Sequence, residues 1–136
     1  MVEQLVTFEV AKLAKDRGFD IGVNDEWVHN TNEPLDNEYY TRHWSDRYNF
    51  NKHDYISAPS QSLLQRWLRE KHNIHVSSDL NDSTPTNINF VYCVTTSYNN
   101  WNSENYGNYT STKLFNSYEE ALEEGLLIAL GKCTLV

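Results

Sequence analysis

The segment from Ser57 to Val76 leaves its backbone few options. Pro59 suits the first turn of a helix, where its missing N–H would have no partner anyway. Leu63, Leu64, Trp67 and Leu68 fall on one arc of that helix, and Gln65, Arg66, Arg69 and Glu70 on the opposite one. Asn73 tolerates the left-handed backbone that stops a helix. Ile74-His75-Val76 then opens a strand, with Ile74 and Val76 on the same side. A capped helix that runs straight into a buried strand fixes the class as α+β.

The other elements are read from the same kinds of signal. Thr7 can cap a first helix over Phe8 to Arg17, with Val10, Leu13 and Ala14 at helical spacing and Gly18 as the stop. Glu26 to His29 and Tyr39 to Trp44 have strand composition and are expected to pair antiparallel across turn chemistry at residues 32–37. Ser45 to Asp54 reads as a loop. Ile88 to Thr96 alternates with apolar residues on both faces, which suits a central strand, and Tyr109 to Phe115 reads as its hairpin partner. The last helix opens with Ser117 and Glu120 at capping-box spacing and carries the apolar stripe Ala121, Leu122, Gly125, Leu126, Ala129 and Leu130 up to Gly131.

Together these predict one α+β domain over residues 1–136, with an antiparallel sheet of about four to five strands and three helices packed mainly on one face. The expected core is Leu63, Leu64, Trp67, Leu68, Phe90, Tyr92, Val94, Leu122, Leu126 and Leu130.

With 136 residues the chain can bury one core without staples, and 13% aromatic content argues against disorder. The formal charge of -8 repels phosphate backbones and anionic bilayers, so nucleic acid binding through a basic face and membrane binding are both disfavoured. No apolar run reaches transmembrane length, and Met1 to Leu5 lack a basic n-region and an apolar h-region. Cys93 and Cys133 have no metal-ligand or redox spacing. The expectation is a protein of the cytoplasm with reduced thiols.

The blocks Ser57-Ala58-Pro59-Ser60-Gln61-Ser62-Leu63-Leu64-Gln65-Arg66-Trp67-Leu68-Arg69-Glu70, His72-Asn73-Ile74-His75 and Ser117-Tyr118-Glu119-Glu120-Ala121-Leu122-Glu123-Glu124-Gly125-Leu126 resemble a group of small uncharacterised proteins. That group is encoded in bacteriophage genomes and in prophage regions of gut bacteria. Leu5 to Phe8 and Ala11 to Lys15 look similar too. The resemblance covers roughly a third of the chain, in blocks. It implies origin in a mobile element and a bacterial host cytoplasm; it carries no activity.

Candidate sites follow from side-chain chemistry. Tyr98, Trp101 and Tyr106, with Tyr109 beside them, cluster in an Asn-rich stretch. Rings and amides together suit a peptide, sugar or base platform. His72 and His75 are the best metal-like pair, with His43 and His53 elsewhere, although a zinc site needs three or four converging ligands. Arg66, Arg69 and Lys71 form a basic face whose ordinary role is solvation. Cys133-Thr134-Leu135-Val136 has the form of a prenylation box, which a phage-like origin makes a coincidence. There is no phosphate loop, nucleophile elbow or paired-carboxylate motif, and no cofactor is expected. The reading is a non-enzymatic accessory protein acting by protein–protein interaction. The alternatives are a small-ligand or nucleic-acid-end binding module using the 97–109 hairpin, and a metal-dependent enzyme using His72 and His75.

Overall fold

Short-range capping chemistry sets where each helix starts and stops, and the strands then pair with near neighbours in sequence. A computed structural model describes residues 3–29, 38–81, 88–96 and 107–133. The chain divides into two compact units, one formed by residues up to Ser60 and the other from Gln61 onward.

In the first unit, helix α1 (Phe8–Asp16) is capped by the Thr7 hydroxyl, which accepts the Val10 N–H at 3.4 Å. At its other end Gly18 has φ +91°, and the N–H groups of Gly18 and Phe19 return to the carbonyls of Lys15 and Ala14. This is a Schellman stop, which needs a residue free to enter the left-handed region. It buries Phe19 beside Val10, Ala11 and Ala14 in the core.

Strand β1 (Val23–His29) lies between β2 (Tyr39–Tyr48) and the two-residue β3 (Ile56–Ser57), antiparallel to both. Helix α1 packs by β3. The Trp27 indole N–H donates to the Val6 carbonyl at 3.2 Å, and the Phe8 ring meets the Trp27 ring edge-on at 6.1 Å. Asn51 ties the returning chain down: its amide donates to the Phe19 carbonyl, and its side-chain oxygen accepts the Ser57 N–H, both at 2.9 Å.

In the second unit, α2 (Gln61–His72) ends on Asn73 at φ 56° and passes directly into β4 (Ile74–Leu80). The sheet order is β4-β5-β6, with β5 (Phe90–Thr96) central and β6 (Gly107–Thr110) short. Helix α3 (Tyr118–Lys132) is capped by Ser117, whose hydroxyl accepts the Glu120 N–H at 3.1 Å. Both α2 and α3 pack on this sheet and on each other. Leu64, Trp67, Leu68, Ile74, Val76, Val94, Leu122, Leu126 and Leu130 are buried, as Gly125 is on α3. Gly125 marks the closest approach, because a Cβ there would lie 2.9 Å from Tyr92 Cβ and 3.0 Å from Val76 Cγ1.

The α+β class holds, and so does the central position of β5. The single sheet of about four to five strands does not: the described residues form two antiparallel sheets of three strands. Pro59 separates them in sequence. It precedes α2 rather than entering its first turn, and its carbonyl accepts the Val6 N–H at 2.9 Å. The strands on either side therefore find partners locally. The helices are divided likewise, α1 going with the first sheet and α2 and α3 with the second. Ser45 to Tyr48 belong to β2, not to a loop, and Gly131 lies inside α3. Leu63, Phe90 and Tyr92 are half-buried rather than buried. The turn expected at residues 32–37 lies outside the described residues.

Two substitutions probe the second unit. Trp67→Ala should lower unfolding free energy by about 3–5 kcal/mol through lost burial and a cavity, read from urea melts. Gly125→Ala should cost about 1–2 kcal/mol net, because overpacking against Tyr92 outweighs the gain in helix propensity. An unchanged or higher urea midpoint for Gly125→Ala would place α3 farther from β5.

Candidate interaction surface

Strand β2 reads Tyr39-Tyr40-Thr41-Arg42-His43-Trp44-Ser45-Asp46-Arg47-Tyr48, without one aliphatic side chain. A strand of this composition has nothing with which to fill an aliphatic core. All ten residues are exposed. Tyr40 is 45% exposed, Trp44 44% and Tyr48 45%, so large rings stand in solvent along its length.

The pairing with β1 is regular from His29 opposite Tyr39 to Asp25 opposite His43. It resumes at Val23 opposite Tyr48, so β1 advances two residues while β2 advances five. The surplus of β2 is thrown out as a bulge. Asn24 holds its base: the side-chain amide donates to the carbonyls of Trp44 at 3.1 Å and Ser45 at 3.3 Å. Bulges bend an edge and re-aim its side chains. Here the result is an open pocket of about 290 Å³ lined by Trp44, Ser45, Asp46, Arg47, Tyr48 and Phe50. That is near the lower size limit for a ligand pocket, and large enough for one side chain.

The surrounding groups hold the rings in place. Phe50 is buried and meets the Tyr48 ring at 5.4 Å, and the Tyr48 hydroxyl lies 2.8 Å from His53 Nε2. The Arg42 guanidinium sits 5.7 Å from the Trp44 ring centroid, a cation–π contact. Its Nη2 donates to the Tyr40 hydroxyl at 3.4 Å, and that bond, with nearby Glu26 and Tyr55, raises an already high pKa. Arg42 is therefore charged at every working pH. Its contact with the buried Glu26 is long, at 3.9 Å. His43 Nδ1 meets Asp25 Oδ1 at 3.0 Å, while the His43 side chain remains largely in water.

The residues expected to bind, Tyr98, Trp101 and Tyr106, lie outside the described residues. Tyr109 is on β6, where Lys132 of α3 sits 4.4 Å from its ring centroid. His72 and His75 do not converge. The His72 ring packs edge-on against Trp67 at 4.8 Å, while His75 is exposed on β4. His43 and His53 are engaged with Asp25 and Tyr48. Among the described residues no group of three or more His, Cys, Asp or Glu side chains is placed to hold a metal ion. Arg66 pairs with Glu70 one helical turn on at 3.9 Å, as a solvated face does. No helix among the described residues is long and apolar enough to cross a membrane.

Sequence reasoning located the first half of β2 but missed its full length and its exposure. The available signal was the absence of aliphatic residues from a strand rich in Tyr, Trp and Arg. Comparison with protein-family profiles, curated proteins and solved structures finds no match.

His72 gives a testable electrostatic consequence. Burial of the ring, aided by the adjacent Lys71 charge, holds its pKa below the ordinary 6.5. Its Nε2 is buried with no hydrogen-bond partner among the described residues. The unfolded chain therefore binds the proton more readily, so stability falls as pH drops below about 6.5 and is level in this respect above it. His72→Phe keeps a ring against Trp67 and removes the titration. The loss of melting temperature between about pH 7.5 and pH 5 should be smaller in that variant than in the wild type. Equal losses would mean that His72 is as well solvated folded as unfolded.

Proposed function

We propose that this chain is a non-enzymatic accessory protein of a phage or other mobile element, working in the cytoplasm of a bacterial host by protein–protein contact through β2. The observation that carries the reading is a ten-residue edge strand, exposed throughout and rich in Tyr, Trp, Arg and His. Interface centres are enriched in aromatic residues and Arg and depleted in Lys and Glu. β2 has that bias, and it stands in a chain of formal charge -8. The bulge pocket supplies a seat for a partner's side chain between Trp44, Arg47 and Tyr48. The mobile-element origin rests on the sequence resemblance.

The test is affinity capture from a bacterial lysate, with the wild type compared against Trp44→Ser and Arg47→Ser. Both positions are exposed, so the variants should fold. A protein retained by the wild type and reduced at least roughly tenfold by each variant is the expected outcome, since hot-spot truncations cost about 2 kcal/mol or more. Identical recovery from all three would remove β2 from the function.

A further inference from the structure

The start of β2 and the residue before it read Glu38-Tyr39-Tyr40-Thr41-Arg42, and all five are exposed. Alternation places Glu38, Tyr40 and Arg42 on one face of the strand and Tyr39 and Thr41 on the other. One edge of this stretch pairs with β1, and the other has no strand neighbour among the described residues. Tyr39 to Arg42 also precede the bulge, so the backbone there runs in regular register with β1, and Glu38 adjoins it. Natural edge strands are usually protected by Lys, Pro, a bulge or a cover. Between Glu38 and Arg42 there is no Lys, no Pro and no bulge; the bulge of β2 lies beyond His43, and the charges in this stretch are Glu38 and Arg42.

We propose that the outer edge of β2 pairs antiparallel with β2 of a second copy of this chain, about a two-fold axis at Tyr40, joining two three-stranded sheets into one of six strands. The occupant is argued from charge complementarity. In a two-fold contact the same patch faces itself, so a strand that pairs with its own copy must be complementary to its own reversed sequence. With the axis at Tyr40, Glu38 of each copy lies opposite Arg42 of the other. Tyr39 lies opposite Thr41, and Tyr40 opposite Tyr40. Opposite charges, an aromatic with a β-branched residue, and two aromatics are the favourable cross-strand combinations.

Charge also selects the register. An axis at Arg42 sets two guanidinium groups face to face, and an axis at Glu38 sets two carboxylates face to face. Only the Tyr40 axis places both carboxylates directly opposite both guanidinium groups. The long Glu26 contact leaves Arg42 able to take a second carboxylate.

The proposal rests on reading β2 as a contact strand, and the experiments separate the two ideas. In sedimentation velocity at tens of micromolar, the wild type should run as a dimer. Glu38→Arg, which brings arginines opposite each other, should weaken association by roughly tenfold or more while leaving the far-ultraviolet dichroism unchanged. In a Cys93→Ser background, Tyr40→Cys should form a disulfide-linked dimer under mild oxidation, because directly opposed residues lie within disulfide range. Thr41→Cys should not, since that register separates its two copies by more than about 7 Å. A monomeric wild type, or cross-linking of Thr41→Cys as readily as Tyr40→Cys, overturns the proposal. A monomer whose Trp44→Ser variant still loses a captured partner would sink the dimer and spare the heterologous contact. A dimer of the stated register with no partner lost would do the reverse.

Discussion

A three-stranded sheet satisfies the backbone of one strand on both sides and leaves two edges to be dealt with. This chain has that problem twice, and much of its side-chain chemistry near the strands answers it. On the second sheet, Gln65 of α2 donates its amide to the Val76 carbonyl of β4, while β6 is only four residues long. The 90–115 bridge extends the other end of β5 by a pair of hydrogen bonds between Phe90 and Phe115, both at 2.9 Å. On the first sheet, β3 is cut to two residues, and the chain beyond it pairs briefly at Ser60 with Leu5. Only β2 is long. Its second half is bent by the bulge, and its first half is left straight and bare.

That contrast explains which parts of the fold were legible. Helix limits depend on a few adjacent residues, so Thr7, Gly18, Asn73 and Ser117 could be read directly as caps and stops. β5 announced its central place by carrying apolar residues on both faces. Sheet membership depends on pairing between distant segments, and no residue states it. The break at Pro59 looked like the first turn of a helix because proline fits both settings. The bulge was illegible for a related reason: the group that steadies it, the Asn24 amide, belongs to the opposite strand. Gly131 misled because a glycine near a helix end suggests a stop, but here Cys133 ends the helix one residue beyond Lys132. In sequence the rings at 97–109 stand out because Asn surrounds them, while the rings of β2 read as half of an ordinary strand and a loop.

The electrostatics of β2 run against those of the chain. Four carboxylates, Glu119, Glu120, Glu123 and Glu124, crowd the start of α3, where its dipole favours negative charge. β2 instead holds two arginines and one aspartate. Glu26, buried on β1, is the carboxylate nearest Arg42 in the ladder, at 3.9 Å. With one donor on the Tyr40 hydroxyl and only a long contact to Glu26, the exposed guanidinium has donors left over, and its planar fork suits a carboxylate.

The surplus length in β2 also bears on how the strand tolerates insertion and deletion. The ladder is anchored at Tyr39 to His43 and again at Tyr48, and the residues between are spare as far as pairing is concerned. Removing or adding a residue there changes the size of the bulge while both anchored stretches keep their partners. The same event anywhere in Tyr39 to His43 would turn every following side chain to the other face. The bulge therefore acts as a length buffer, a place where the shape of the exposed surface can be recut without rebuilding the sheet that carries it.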